Sequence, residues 1–278
     1  MRIQEIIDKI RAYHPPMDES NTFDVFKCGD PQQECRGIVV CCYPSVNVIR
    51  QAIEKDANLI ICHEPSFYDD GDKGEGLAGN KVYEEKCRLL DAHGIAIWRD
   101  HDHIHHGPQS ENRSTTDMIF YGIMKVLGWE EYLIGDIKKP LLYRIPETTV
   151  RELTHELCEK LNLNGARIIG DPDGKVSKVF IAEHIFGRVE QDKQKIMRAD
   201  QEEFDVLIPL ETVDWTVLEY ITDSTQLGRS RAVISVGHFN FEEPGMRYMA
   251  ETWLPEILEH AIPVLFVQSG DIYQYICR

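Results

Sequence analysis

The sequence predicts an α/β protein made of two similar halves. Short apolar runs typical of buried strands alternate with segments whose apolar residues recur at helical spacing, and this alternation predicts mainly parallel sheets. Residues 39–63 and 206–238 are both predicted as strand–helix–strand segments, and each ends in a histidine with a glutamate close behind. This weak internal repeat divides the chain into a first half over residues 1–137 and a second half over residues 138–278.

The first half opens with an amphipathic helix over residues 2–13, in which isoleucine recurs at positions 3, 6, 7 and 10. Pro15 and Pro16 end this helix, and the polar residues that follow are predicted to be irregular as far as residue 36. The other predicted elements alternate along the chain. The predicted strands cover residues 37–42, 58–62 and 95–98. One predicted helix starts at residues 44–45, and two others cover 81–93, with Gly94 as the C-cap, and 117–127. Loops are predicted over residues 69–80 and 107–115.

The second half is predicted from the same signals. Apolar runs, many of them rich in β-branched residues, indicate strands, and apolar residues three and four apart indicate helices. An Asp-Pro-Asp-Gly sequence at residues 171–174 favours a turn. The predicted strands cover residues 141–145, 167–169, 179–182, 205–209, 232–236 and 263–268, and the predicted helices cover 149–161, 215–222 and 246–261.

Composition limits the classes of partner. The chain has 278 residues, 42% of them hydrophobic, and its 47 acidic and 30 basic side chains give a net charge of −17. A field of that sign repels nucleic-acid phosphates and anionic membranes, so neither is expected as a partner. No apolar run approaches the ~18 residues of a spanning helix, and the N-terminus lacks a signal-peptide core. We therefore expect a cytoplasmic protein.

Polar residues with metal-binding groups follow three of the predicted strands. His63 and Glu64 come directly after the apolar run 58–62, and Pro65 prevents the strand from continuing. His238 follows the strand 232–236, and Glu242 lies four residues further on. Ligands of open α/β sheets bind at the carboxyl ends of strands. Histidine with carboxylate suits zinc, iron, manganese or nickel better than calcium. The alternative is that these are solvated loop residues.

The third set is a histidine cluster after the strand 95–98. Four histidines lie between residues 101 and 106. If this segment is extended, His101, His103 and His105 point to the same side, which favours metal binding over a plain polar loop.

Three motifs carry a family resemblance. They are His63-Glu64-Pro65, His101-Asp102-His103-Ile104-His105 and Gly237-His238-Phe239-Asn240-Phe241-Glu242. They resemble the His-His-Pro, His-Thr-x-x-Asp and Gly-His-Tyr-x-x-Glu motifs of the NIF-three-like family, dinuclear-metal proteins often labelled GTP cyclohydrolase 1 type 2 homologues. The resemblance covers most of the chain and implies two divalent metal ions per chain and a ring-shaped homohexamer. The paired strand–helix–strand segments predict that the site lies in the cleft between the halves.

The resemblance implies a particular ligand set and two departures from the family pattern. It places metal ligands at His63, Glu64, His105, His238 and Glu242, and His101 is a further candidate. Glu64 stands where the family has a second histidine, and His105 stands where it has an aspartate. The two exchanges conserve three histidines and two carboxylates, and Glu64 could take the bridging role that a two-metal site needs.

Two functions are open at this point. The first is a dinuclear metal-dependent hydrolase of a small molecule, with Glu211 as its general acid or base. Glu211 could equally be a helix N-terminal charge. The sequence has no GxxxxGK[ST] phosphate loop, so GTP is only what the family label implies. The second function is a non-catalytic metal-binding or chaperone-like protein.

Overall fold

The computed structural model describes residues 1–69, 74, 76–108, 115–201 and 203–276. Within them the chain forms two compact units, each with a five-stranded sheet. The first unit is Met1–Gly122 with Glu243–Ser269, and the second is Ile123–Glu242 with Gly270–Arg278. The predicted α/β fold of two halves is confirmed. Residues 70–73, 75 and 109–114 of the predicted loops lie outside the described residues.

The sheet of the first unit is mainly parallel. Its strands are β1 (Phe26–Cys28), β2 (Ile38–Cys41), β3 (Leu59–Cys62), β4 (Ala96–Arg99) and β10 (Val264–Phe266). They lie in the order β1-β4-β3-β2-β10, and only the β1–β4 pairing is antiparallel. Every residue of β2, β3 and β4 is buried, as expected for parallel strands covered on both faces.

The helices of the first unit lie beside its sheet, and those over residues 3–13 and 81–93 end as the sequence predicts. They are α1 (Ile3–Tyr13), α2 (Val46–Glu54), α3 (Lys81–His93), a single turn α4 (Asp102–His105) and α10 (Leu254–Ile257) after a π-helical turn at Met249–Trp253. The four isoleucines of α1 are buried. Ser45 caps α2, because its side chain accepts a hydrogen bond from the backbone N–H of Val48. Gly94 ends α3 with a left-handed φ of 61°.

The sheet of the second unit is mixed. Its strands are β5 (Leu142–Thr149), β6 (Arg167–Ile169), β7 (Lys175–Ala182), β8 (Val206–Pro209) and β9 (Ala232–Ser235). They lie in the order β5-β7-β8-β9-β6, with β7, β8 and β9 parallel and both edge strands antiparallel. The helices are α6 (Val150–Leu161), α7 (Val189–Asp200) and α8 (Val217–Gln226). The parallel arrangement is therefore confirmed only in part.

Two further helices have residues in both units. They are α5 (Met118–Leu127) and α9 (His238–Tyr248). The prediction that a helix begins near residue 246 was wrong, because α9 starts eight residues earlier and contains Pro244. The sequence also missed β1, α4 and α7.

The division of the chain differs from the predicted boundary. The sequence assigned residues 263–268 to the second half, but β10 pairs with β2 and belongs to the first unit. Parallel pairing with an edge strand satisfies backbone groups that β2 exposes on that side. None of the helices in the described part of the chain is long and apolar enough to cross a membrane.

Candidate metal centre

Three histidines converge beside the carboxyl ends of β3 and β4, which are neighbouring parallel strands. His63 follows β3, and His101 and His105 follow β4. Ring centroids lie 4.7 Å apart for His63 and His101, 5.1 Å for His63 and His105, and 5.2 Å for His101 and His105. One nitrogen from each ring lies within 4.8 Å of the others. This arrangement brings together three of the predicted ligands.

The same ring nitrogen of each histidine contacts an oxygen. The Nδ1–oxygen distances are 3.0 Å from His63 to the Asp100 carbonyl, 2.9 Å from His101 to Asp102 and 2.9 Å from His105 to Asp117. A carbonyl or carboxylate oxygen only accepts, so each contact places the proton on Nδ1 and the lone pair on Nε2. Metal-bound histidines usually have such an oxygen partner on their second nitrogen. The donor set therefore fits a divalent metal.

The extended conformation expected for the histidine cluster was wrong. Residues 102–105 form the turn α4, so His101 and His105 lie four residues apart on one side. His103 is 2% exposed, and its Nδ1 lies 2.5 Å from a carboxylate oxygen of Asp24. Asp24 also accepts hydrogen bonds from the backbone N–H groups of residues 101, 102 and 103. These bonds turn the chain into α4, and His103 packs against Asp24 instead of joining the other two.

Two buried carboxyl groups behind the cluster differ in charge. Burial alone would raise the pKa of Asp24, but the hydrogen bonds from His103 and the backbone lower this pKa to about 2. Burial raises the pKa of Asp100 well above its usual value, and the negative charge of Asp24 adds to that effect. The surroundings of Asp24 therefore favour its ionised form, and those of Asp100 favour the neutral form.

Glu64 is buried beside an arginine. Its carboxylate oxygen lies 3.7 Å from Nη2 of Arg99, and both side chains are less than a tenth exposed. Arg99 also donates from Nε to the backbone carbonyl of His63 at 2.8 Å. The guanidinium stabilises the ionised form of Glu64, which is the form that a ligand requires. Its role as a ligand stays a prediction.

His238 and Glu242, the predicted ligands of the second unit, lie one helical turn apart. His238 begins α9, and its Nε2 lies 2.9 Å from a carboxylate oxygen of Glu242. The spacing of four residues puts both side chains on one face of the helix. Gly237 precedes them with φ 96°, a backbone conformation that favours glycine and lets the chain leave β9 sharply for the helix.

Glu211 lies two residues beyond β8, between two histidines. Its carboxylate oxygens lie 3.3 Å from Nδ1 of His238 and 3.4 Å from Nδ1 of His184. Sequence reasoning missed His184, which lies two residues beyond β7 just as Glu211 does beyond β8. The equal distance of the two residues from their strand ends was the signal in the sequence. Because Ala182 and Pro209 are paired in register, residues two positions beyond them lie side by side. Burial and the neighbouring His238 lower the pKa of His184, which favours the neutral ring. The acid or base role of Glu211 stays a prediction.

A cavity of about 380 Å³ opens beside Glu211 and His238 in the second unit. The side chains around it are aromatic, apolar, polar and charged, and they include Phe186, Arg167 and Glu211. A space of this size and lining suits a small molecule rather than a polymer.

The structure thus groups the predicted ligands within each unit. His63, His101 and His105 lie together in the first unit, and His238 and Glu242 lie together in the second. The single cleft between the halves stays a prediction.

Comparisons with known proteins identify the family. Residues 1–270 match the model of the Duf34/NIF3 (NGG1p interacting factor 3) family. A GTP cyclohydrolase 1 type 2 homolog of Clostridium acetobutylicum is 24% identical over 262 residues, which are 89% of this chain and 88% of that protein.

Solved structures share the fold at low identity. The Staphylococcus aureus protein SA1388 superposes with a TM-score of 0.68 at 17% identity, and a Bacillus cereus protein related to NIF3 superposes with 0.69 at 14%. Each likeness covers 99% of both chains. The resemblance read from the sequence motifs is confirmed, and the chain belongs to the Duf34/NIF3 family.

Proposed function

We propose that this protein binds two divalent metal ions per chain and uses them to hydrolyse a small molecule. The observation that carries the proposal is the convergence of three histidines whose Nδ1 atoms all contact oxygen acceptors. The proposed ligands are His63, Glu64, His101 and His105 in the first unit and His238 and Glu242 in the second. Their nitrogen and oxygen donors suit zinc, iron, manganese or nickel.

The chain's own residues would fix the ligands before any metal arrives. Asp117 holds the ring of His105, the Asp100 carbonyl holds the ring of His63, and α4 sets the spacing between His101 and His105. A bound divalent metal lowers the pKa of a coordinated water and polarises the substrate. The concave, partly aromatic lining of the cavity supports a small substrate.

The candidate substrates are nucleotides, esters and amides. The Clostridium relative is named a GTP cyclohydrolase 1 type 2 homolog, so GTP belongs among the compounds to be tested. Esters and amides belong there equally, because a divalent metal held by these residues would supply the same activation of water for their hydrolysis.

Elemental analysis of the purified protein, followed by reconstitution with Mn²⁺, Fe²⁺ or Zn²⁺, tests the binding. We expect two metals per chain and the loss of one in His105→Ala. The matched control is His93→Ala, since His93 is an exposed histidine at the end of α3. Equal metal contents in these two variants would overturn the first-unit site. Metal binding without turnover across nucleotides, esters and amides would support the non-catalytic alternative instead.

The homohexamer that the resemblance implies stays a prediction. Light scattering at micromolar concentration measures the mass in solution, and a monomeric mass would contradict it.

A further inference from the structure

A second set of donors lies at the carboxyl ends of β7, β8 and β9. These three strands are parallel neighbours, so their ends meet at one edge of the sheet. We propose that His184, Glu211 and His238 bind one divalent transition-metal ion. This site uses Nδ1 of His238 and is distinct from the position on Nε2, where Glu242 lies.

The distances match metal coordination. A tetrahedral ion whose ligands lie ~2.0–2.1 Å away has ligand atoms about 3.3–3.4 Å from one another. The two nitrogen–carboxylate separations are 3.4 Å for His184 and 3.3 Å for His238. A charge-assisted N–H···O hydrogen bond is shorter, at about 2.7–2.9 Å. The rings of His184 and His238 lie 5.0 Å apart at 68°, so they approach the carboxylate from different directions.

The backbone fixes two of the three donors side by side. Ile185 pairs with Thr212 in a parallel bridge, and its N–H donates to the carbonyl of Glu211 at 2.9 Å. The β7–β8 register therefore extends past both strands and sets His184 beside Glu211. A site on paired backbone keeps its geometry better than a site on an unpaired loop.

The chemistry of the set is that of a metal site with open positions. Two neutral imidazoles and one carboxylate are the protein ligands of several zinc hydrolases and of non-haem iron(II) enzymes. Glu211 and His238 also line the cavity of about 380 Å³, so an open position there is accessible to a small molecule. In this site Glu211 is a ligand and not the general acid or base.

The inference rests on the proposed metal-binding function because His238 belongs to both sites. A neutral imidazole binds one metal ion, so an ion on Nδ1 competes with an ion on Nε2. Removal of Glu242 therefore isolates the new site.

Metal content of the full chain tests the proposal after loading with Co²⁺ or Zn²⁺. The variant Glu242→Gln is compared with Glu242→Gln/His184→Ala and with Glu242→Gln/His155→Ala. His155 is an exposed histidine of α6 in the same unit and serves as the control. We expect Glu242→Gln to keep an ion that the His184 double variant loses or binds at least tenfold more weakly. The His155 double variant should match Glu242→Gln.

Equal metal content and affinity in Glu242→Gln and its His184 double variant would overturn the site. Unchanged metal content in His105→Ala would instead overturn the proposed first-unit site, so the two failures are distinguishable. An anomalous-difference map of zinc-loaded crystals gives a readout that needs no variant. A peak ~2.0–2.2 Å from His184, Glu211 and His238 supports the proposal. A peak only on the Nε2 side of His238 refutes it.

Discussion

Asp24 is predicted to be the residue that shapes the histidine cluster, and Asp24→Ala tests this. The carboxylate is fully buried and accepts three backbone hydrogen bonds of 2.6–2.8 Å and one from the ring of His103 at 2.5 Å. A buried donor left without its acceptor costs about 1–3 kcal/mol. His101 and Asp102 are partly exposed, so water can accept the hydrogen bonds from their backbone N–H groups in place of the carboxylate. The full penalty falls on the N–H and ring of His103.

We therefore expect Asp24→Ala to lower the free energy of unfolding by about 3–5 kcal/mol. This is a large fraction of the ~5–15 kcal/mol that a typical domain has. Urea unfolding followed by circular dichroism measures the change. The matched control is Asp18→Ala, because Asp18 is exposed and accepts one backbone hydrogen bond, from Ser20. Loss of that single bond should cost about 0.5–1 kcal/mol.

A second measurement separates orientation from stability. If α4 depends on Asp24, His101 and His105 lose their fixed spacing in Asp24→Ala, and the folded variant should bind its first-unit metal at least tenfold more weakly. Asp18→Ala should bind that metal as the wild type does. A stability loss for Asp24→Ala no greater than that of Asp18→Ala would refute the reasoning.

Three other predictions concern pH, ligand exchange and packing. Burial and the neighbouring His103 lower the pKa of His14 from 6.5 to about 3, so the unfolded chain takes up a proton first as the pH falls below 6.5. The free energy of unfolding of the wild type, measured by urea titration, should then drop by about 2 kcal/mol between pH 7 and pH 5. His14→Phe should not show this drop, and equal drops in the two proteins would contradict the prediction. Glu64→His should reduce metal content, and adding His105→Asp should restore it toward two per chain, whereas additive losses would contradict coupling. Gly122→Ala places a Cβ 2.6 Å from the backbone of α9, so it should lower the free energy of unfolding by about 1–3 kcal/mol. In Gly135→Ala the new Cβ has no contact under 3.4 Å, so thermal unfolding should show almost no change in stability.

The sequence predicts those features that depend on local pattern. The buried isoleucines of α1, the cap at Gly94 and the strands before His63 and His238 follow from spacing and turn chemistry. Parallel strands bring their carboxyl ends to one edge, so the meeting of His63 with the later histidine cluster also follows.

Other features depend on contacts distant in the chain. The direction of His103 is set by Asp24, which is 79 residues away. The place of His184 beside Glu211 depends on the β7–β8 register, which no short motif states. The early start of α9 was missed because Pro244 is expected to break a helix.

The oxygen contacts on the three first-unit histidines bear on how metal binding relates to folding. The side chains that would receive the ion are already ordered by the hydrogen bonds of their own Nδ1 atoms. Little conformational entropy remains to be lost when an ion arrives, in contrast to zinc fingers, which fold only with their metal. Chelation should therefore leave the native circular dichroism intact. Metal should raise the melting temperature only because it binds the folded chain, so the rise should follow the metal concentration by mass action.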